Sequence, residues 1–296
     1  MTVICISGVM SADMMRSQAC ARELCQRFPD RVNSFEFKVM FPTQWDYFIR
    51  DTIKKQKGAY QSHTPSSNIL ITLDDDLYIG NMGNFMEWAL QEFRYTDGTS
   101  NMVYKKIAND YQKNVFNNSQ RRSYVFMDIC YGENEKSKVT EKVLIELFDE
   151  YCPKTAENFR KLCQGFKRDD GQELSYIGTK FSRTVKGMLV QGGKIKGSGP
   201  LSTFKEGEFA DESFQLKHSE PGLLGMCQRN GYKNTNECQF YVTVAAPLTF
   251  MDNKSVIFGR VIQGMRTFNM IEKIECLNEE PSWDVSIKAA GVYKIA

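Results

Sequence analysis

The texture of the chain changes near residue 122, and this change limits its possible folds more than any other feature. Upstream, strand-like and helix-like stretches alternate. Downstream, short strands succeed one another across glycine-containing turns, with only two helical patterns. A chain of 296 residues has room for two such parts, each with its own core.

In the first part, residues 3–6 form an apolar run suited to a strand covered on both faces. Ala21, Leu24, Cys25 and Phe28 then fall at i, i+3, i+4 and i+7, one stripe of a helix. Phe35, Phe37 and Val39 alternate with Glu36 and Lys38, as in a half-buried strand. Trp45, Phe48, Ile49 and Thr52 return to helical spacing. Runs at 69–73 and 77–79 flank Asp74, Asp75 and Asp76 as the arms of a hairpin would, and Phe85, Trp88 and Ala89 mark a third helix. The predicted order over residues 1–95 is β-α-β-α-β-β-α. The three aspartates lack the spaced ligands of a calcium loop and read as an exposed turn. Residues 96–121 read as a helical connector: Val103, Ile107 and Asp110 or Tyr111 suggest one helix, and the polar run 117–122 a joint.

In the second part, residues 142–148 make a strand, and Pro153 opens a helix in its first turn, where a missing N–H costs nothing. Ala156, Phe159 and Cys163 are its buried stripe and Gly165 its end. Residues 239–244 and 256–261 are further strands. Many short strands with little helix predict a closed antiparallel barrel over 122–296.

Charge and composition remove several function classes. The 38 basic residues nearly balance the 36 acidic ones, and no basic stripe is interleaved with aromatics, which argues against nucleic acid. No stretch approaches the roughly 18 apolar residues of a membrane helix. The N-terminal run lacks a basic flank and a cleavage site, so it reads as a strand. The nine cysteines are scattered singly without a CxxC pair, as free thiols of a reducing compartment are. His63 and His218 have no Cys or His neighbour at ligand spacing, so neither metal nor cofactor is expected.

Six blocks of the second part, CPKTAENFRKLCQG (152–165), KFSRTVKGMLVQGGK (180–194), FADESFQLKH (209–218), PGLLGM (221–226), NTNECQFYVTV (234–244) and DNKSVIFGRVIQGM (252–265), resemble cyclophilins in order and spacing. The resemblance implies an eight-stranded closed barrel capped by two helices, and peptidyl-prolyl cis-trans isomerase activity. The β-α-β-α-β-β-α order resembles the glutaredoxin/thioredoxin core, as does NILITLDDDLYIGNMGNFMEW (68–88). QWDYFI (44–49) and RSYVFMDIC (122–130) extend the likeness to a two-domain branch of the cyclophilin family, a thioredoxin-like domain followed by a divergent barrel.

The chemistry asks for few groups. Rotation about X–Pro meets a barrier of ~18–20 kcal/mol because the amide is conjugated, while cis and trans differ by only ~0.5–1 kcal/mol. A catalyst needs no nucleophile; it must bind the twisted amide better than the planar one. A fixed cation can serve the localised prolyl lone pair, and an apolar pocket must hold the ring. The resemblance assigns the cation to Arg183 and the backbone-binding amide to Gln191, eight positions on. It assigns substrate binding to Met188, Leu189, Gln228, Tyr241, Phe250, Met251 and Ser255. Here this chain departs from the family, which usually has Phe at Met188, Met at Leu189, Phe at Tyr241, Trp at Phe250, Leu at Met251 and His at Ser255. Gln228 falls near a family asparagine, with two extra residues before Asn234. Swaps of similar size in a core usually cost under ~1.5 kcal/mol each. Several acting on the transition state would remove ~10–1000-fold in rate. The resemblance thus implies a weakened isomerase acting on proline-containing segments of a protein partner.

The first part lacks redox chemistry. Glutaredoxins need a thiolate where the first strand meets the first helix. Here Ser11, Ala12, Asp13 and Met14 stand there; Cys5 is within the strand, and Cys20 and Cys25 lie along the helix. His63 and Pro65 fall near that fold's cis-proline loop. The part is expected to be a docking module. The alternative to an enzyme is a catalytically degenerate scaffold subunit of a larger protein complex. The branch implies a cytoplasmic location, with a cilium or axoneme as its assembly.

Overall fold

The computed structural model describes residues 2–55, 68–74, 77–118, 121–169, 171–197 and 199–295. His63, Pro65, Asp75 and Asp76 lie outside the described residues. The chain divides into two compact units, one ending at Asn117 and the other running Asn118–Ile295.

The first unit contains β1 (Thr2–Val9), α1 (Ala12–Arg27), β2 (Val32–Met40), α2 (Pro42–Lys55), β3 (Ile69–Leu73), β4 (Leu77–Gly80), α3 (Met82–Phe93) and α4 (Asn101–Asn118). Its sheet runs β2-β1-β3-β4, with β1 parallel to β2 and antiparallel to β3, and β3 antiparallel to β4. Ile4 and Ile6 point from β1 into a core shared with Met14, Ala21 and Leu24 of α1 and Phe85, Ala89 and Phe93 of α3. A smaller cluster joins Met40, Trp45 and Leu70. The helices start where the side chains permit it: Ser11 Oγ accepts from the Met14 N–H at 3.3 Å, and Asn81 and Asn84 form a reciprocal capping box on α3. Asp74, directly after β3, has a φ of 51°, and its carboxylate accepts from the Val3 N–H at 2.8 Å.

The helix at 101–118 is held by this unit. Arg16 pairs with Asp97 at 3.0 Å and lies over the Tyr104 ring at 5.1 Å. Tyr104 and Ala108 are its buried residues. Val103, Ile107 and Tyr111, which signalled the helix in the sequence, are exposed. The packed face is turned by one residue from the most apolar one.

The second unit contains β5 (Ser123–Gly132), β6 (Val139–Leu147), α5 (Pro153–Gln164), β7 (Phe166–Lys167), β8 (Glu173–Leu174), β9 (Phe181–Val185), β10 (Leu189–Gly192), β11 (Leu223–Gln228), β12 (Asn236–Thr243), β13 (Ile257–Gln263), α6 (Met265–Lys273), β14 (Cys276–Leu277), β15 (Glu280–Pro281) and β16 (Asp284–Val292). Eight of these strands form one sheet, β16-β5-β6-β13-β11-β12-β10-β9. A Lys180–Ser286 bridge and the Ile287 N–H to Thr179 carbonyl bond at 3.0 Å bring its ends together, giving a nearly closed antiparallel barrel. The interior is aromatic. Phe159 of α5 meets Tyr176, Phe240 and Phe258 at centroid distances of 5.0, 5.0 and 5.1 Å, and Phe181 meets Phe268 of α6 at 5.7 Å. Pro153 begins α5 as predicted, and the carboxylate of Glu212 accepts from the Lys154 and Thr155 N–H groups that the helix leaves unpaired.

Candidate functional site

Strand pairing builds the site. Arg183 on β9 lies directly across from Gln191 on β10, Gln191 across from Tyr241 on β12, and Tyr241 across from Gly225 on β11. Directly opposed residues of antiparallel strands share a face. Phe240 points into the barrel, so Tyr241 and its row point out. The reversal that sets β9 against β10 uses Gly187 at φ of 71°, and its N–H is taken by the Glu272 carboxylate at 2.8 Å. That turn delivers Met188, half-buried, and Leu189, buried.

Arg183 Nη1 approaches Gln191 Oε1 at 3.4 Å, and Gln191 Nε2 donates to Gln239 Oε1 at 3.1 Å. The amide of Gln191 is thereby oriented with its oxygen to the guanidinium. Arg183 Nε donates to Glu279 Oε2 at 2.6 Å; both side chains are about half exposed, 49% and 47%.

Tyr241 is 2% exposed. Its hydroxyl lies 2.7 Å from His218 Nε2, whose other ring nitrogen lies 2.8 Å from Asp252 Oδ1. The backbone N–H of His218 also donates to Asp252, at 2.9 Å, and these bonds hold that carboxyl below the usual carboxylate range. The ionised Asp252 accepts a hydrogen bond from Nδ1–H; in that neutral tautomer Nε2 is an acceptor, and the phenol donates to it. Burial pushes the Tyr241 phenol well up, and a hydrogen bond from Ser255 offsets part of that. The Tyr241 hydroxyl is therefore fully engaged, and the ring face keeps its apolar character.

The other expected residues are spread around this row. Met251 and Ser255, both half-buried, are tied by the Ser255 N–H to Met251 carbonyl bond at 3.3 Å. Phe250 sits in a short 3₁₀ turn, Thr249–Met251, and is 53% exposed. Gln228, at the end of β11, donates to both carboxylate oxygens of Asp211 at 3.2 Å, in a cluster that also includes Asn234 and Asn236. Glu279, His218, Asp252 and Gly225 belong to the site and have no local sequence signal. The signal that could have found His218 is general: a buried tyrosine hydroxyl needs a polar partner. Cys227 lies within the Coulombic reach of Arg183, yet burial pushes its thiol up to about 12, which makes it a poor nucleophile.

A depression of about 410 Å³ elsewhere on this unit, lined by Glu133, Met270, Lys273 and Trp283 among others, shares none of these residues. Among the described residues no group of three His, Cys, Asp or Glu could hold a metal ion, and no helix is long and apolar enough to cross a membrane.

Residues 133–292 match the family described as "Cyclophilin type peptidyl-prolyl cis-trans isomerase/CLD". The chain is similar to the mouse (Mus musculus) "Probable inactive peptidyl-prolyl cis-trans isomerase-like 6", 31% identical over 290 residues that cover 95% of this chain and 88% of that protein. The Bos taurus protein of the same name is 29% identical over 95% of this chain and 89% of its own length. "Peptidyl-prolyl cis-trans isomerase 11" of Caenorhabditis elegans is 40% identical over 153 residues, 50% of this chain and 81% of that protein.

Proposed function

Because the chain belongs to the cyclophilin-type peptidyl-prolyl isomerase family, we propose that its barrel binds X–Pro segments of a protein partner and catalyses their isomerisation slowly. The observation that carries this reading is the register of Arg183, Gln191 and Tyr241 on three adjacent strands, cation, amide and apolar ring on one outer face. The Arg183 guanidinium would donate to the substrate as the amide leaves planarity, where its acceptor strength grows. Gln191, its oxygen turned toward Arg183, would hold the substrate backbone. Met188, Leu189, Tyr241 and Met251 would hold the pyrrolidine ring, with Phe250, Ser255 and Gln228 at the margin. The site would work without metal or cofactor, because no bond is made or broken. Protease-coupled turnover of a Pro-containing tetrapeptide tests this: a rate above background that is lost in Arg183→Ala supports it, and no rate above background removes the enzymatic reading.

The second reading is a scaffold subunit. The ion pair that occupies Arg183 favours it, and the mouse and bovine relatives are named as probable inactive. The first unit would then dock the protein in its assembly. We read residues 1–95 as thioredoxin-like; the sheet order β2-β1-β3-β4 with one parallel pair supports this. Redox chemistry is absent from that reading, since Ser11 caps α1 and burial pushes the Cys20 thiol up to about 12. Residues 96–121 would connect it to the cyclophilin domain, 122–296. A cytoplasmic, ciliary or axonemal assembly is part of the same proposal. Gel filtration and pull-down from native extract discriminate: an enzyme elutes largely free, a subunit stays with its complex.

A further inference from the structure

Asn278 and Glu279 form the two-residue turn between β14 and β15, where Leu277 pairs with Glu280. Their φ angles are 50° and 66°. Such a turn requires left-handed backbone at both positions, and glycine is the favoured second residue. Glutamate stands there instead, in a conformation an L side chain disfavours. The Glu279 carbonyl accepts from the Thr184 N–H at 2.7 Å, anchoring the turn to β9 beside Arg183. The Glu279 carboxylate then meets Arg183 Nε at 2.6 Å. A residue poorly suited to its backbone is thus fixed with its charge on the Arg183 guanidinium. Strained positions that persist in this way point to a functional constraint.

We propose that Glu279 is a resident competitor for the Arg183 guanidinium, and that it sets how tightly the groove holds an X–Pro segment. This rests on the reading of Arg183 as the substrate-binding cation. A guanidinium carries five N–H donors in a planar fork; the carboxylate takes the Nε edge and offsets the charge that the remaining donors would present to a substrate carbonyl. With both partners half exposed, the pair is screened by water and exchangeable rather than locked. Substrate must share the guanidinium or displace the carboxylate, and the fraction of free arginine scales the apparent affinity.

The test uses the full chain, an uncharged fluorescent tetrapeptide containing Ala-Pro, and the variants Glu279→Gln, Glu279→Gly and Arg183→Ala. Glycine fits the left-handed turn, so Glu279→Gly removes the carboxylate without disturbing the fold. Both Glu279 variants are expected to bind the peptide about two- to fivefold tighter than the wild type. The gap should narrow in about 1 M salt, where exposed pairs are screened, and vanish in the Arg183→Ala background. Turnover is read on the same samples. Tighter binding in both variants with no turnover in any protein upholds the competitor and removes the isomerase reading. Turnover by the wild type, with binding unchanged or weaker in both variants, overturns the competitor and upholds the isomerase. No binding by any protein overturns both.

Discussion

Gly225→Ala is expected to damage the site from beneath. A Cβ at position 225 would lie 2.1 Å from Tyr241 Oη and 2.2 Å from Cζ, because the phenol crosses the space a side chain would occupy. Reaching ordinary van der Waals separation moves the hydroxyl by more than about 1 Å. Its 2.7 Å bond to His218 Nε2 cannot survive such a shift. Two costs follow: about 1–3 kcal/mol for overpacking a filled site, and about 1–3 kcal/mol for orphaning a buried imidazole nitrogen. The second cost is already incurred in Tyr241→Phe, whose freed ring can also move more easily. A double-mutant cycle should therefore be sub-additive by about 1–3 kcal/mol. Native-state hydrogen exchange of the β12 amides, from Phe240 to Thr243, reads the stability of this strand without averaging over the other unit. A Gly225→Ala loss under about 0.5 kcal/mol, or strictly additive costs, would refute the reasoning that Tyr241 is pinned between Gly225 and His218.

Two other expectations concern the same wall. Asp252 has a depressed carboxyl pKa in the folded chain, so the stability it contributes is complete above its ordinary value of 3.8 and is lost as pH falls through the lower folded value. Asp252→Asn should flatten the acid limb of stability against pH while leaving the neutral plateau lower, measured as denaturant midpoints; an unchanged acid limb contradicts the assignment. The resemblance sets Phe250 at the position of a tryptophan whose indole N–H would bind cyclosporin, so affinity should be weak in the wild type and rise in Phe250→Trp, measured by calorimetry. Nanomolar binding by the wild type would contradict it.

Local chemistry made much of this fold legible. Pro153 and Gly165 bound α5 in both sequence and structure, because ring closure and a positive φ act within one turn. The strand runs predicted at 142–148, 239–244 and 256–261 appear as Val139–Leu147, Asn236–Thr243 and Ile257–Gln263, displaced at their ends where pairing rather than periodicity decides. Helix α4 was legible but its packed face was not: Arg16 and Asp97 draw Tyr104 inward, and no spacing within the helix announces that. The site divides in the same way. Arg183 and Gln191 share one hairpin and could be read together. The Glu279 carboxylate reaches Arg183 from 96 residues away, and Asp252 and Tyr241 reach His218 from 34 and 23, so only the folded barrel unites them.

The most direct measurement is two-dimensional exchange NMR on a peptide with resolved cis and trans prolyl signals, with the wild-type chain or Arg183→Ala added in catalytic amount. Exchange cross-peaks with the wild type, and none with Arg183→Ala while its fold is retained, is the expected result. Equal exchange from both proteins would move the chemistry away from Arg183, and line shapes unaffected by either would leave a barrel that neither binds nor turns the X–Pro bond.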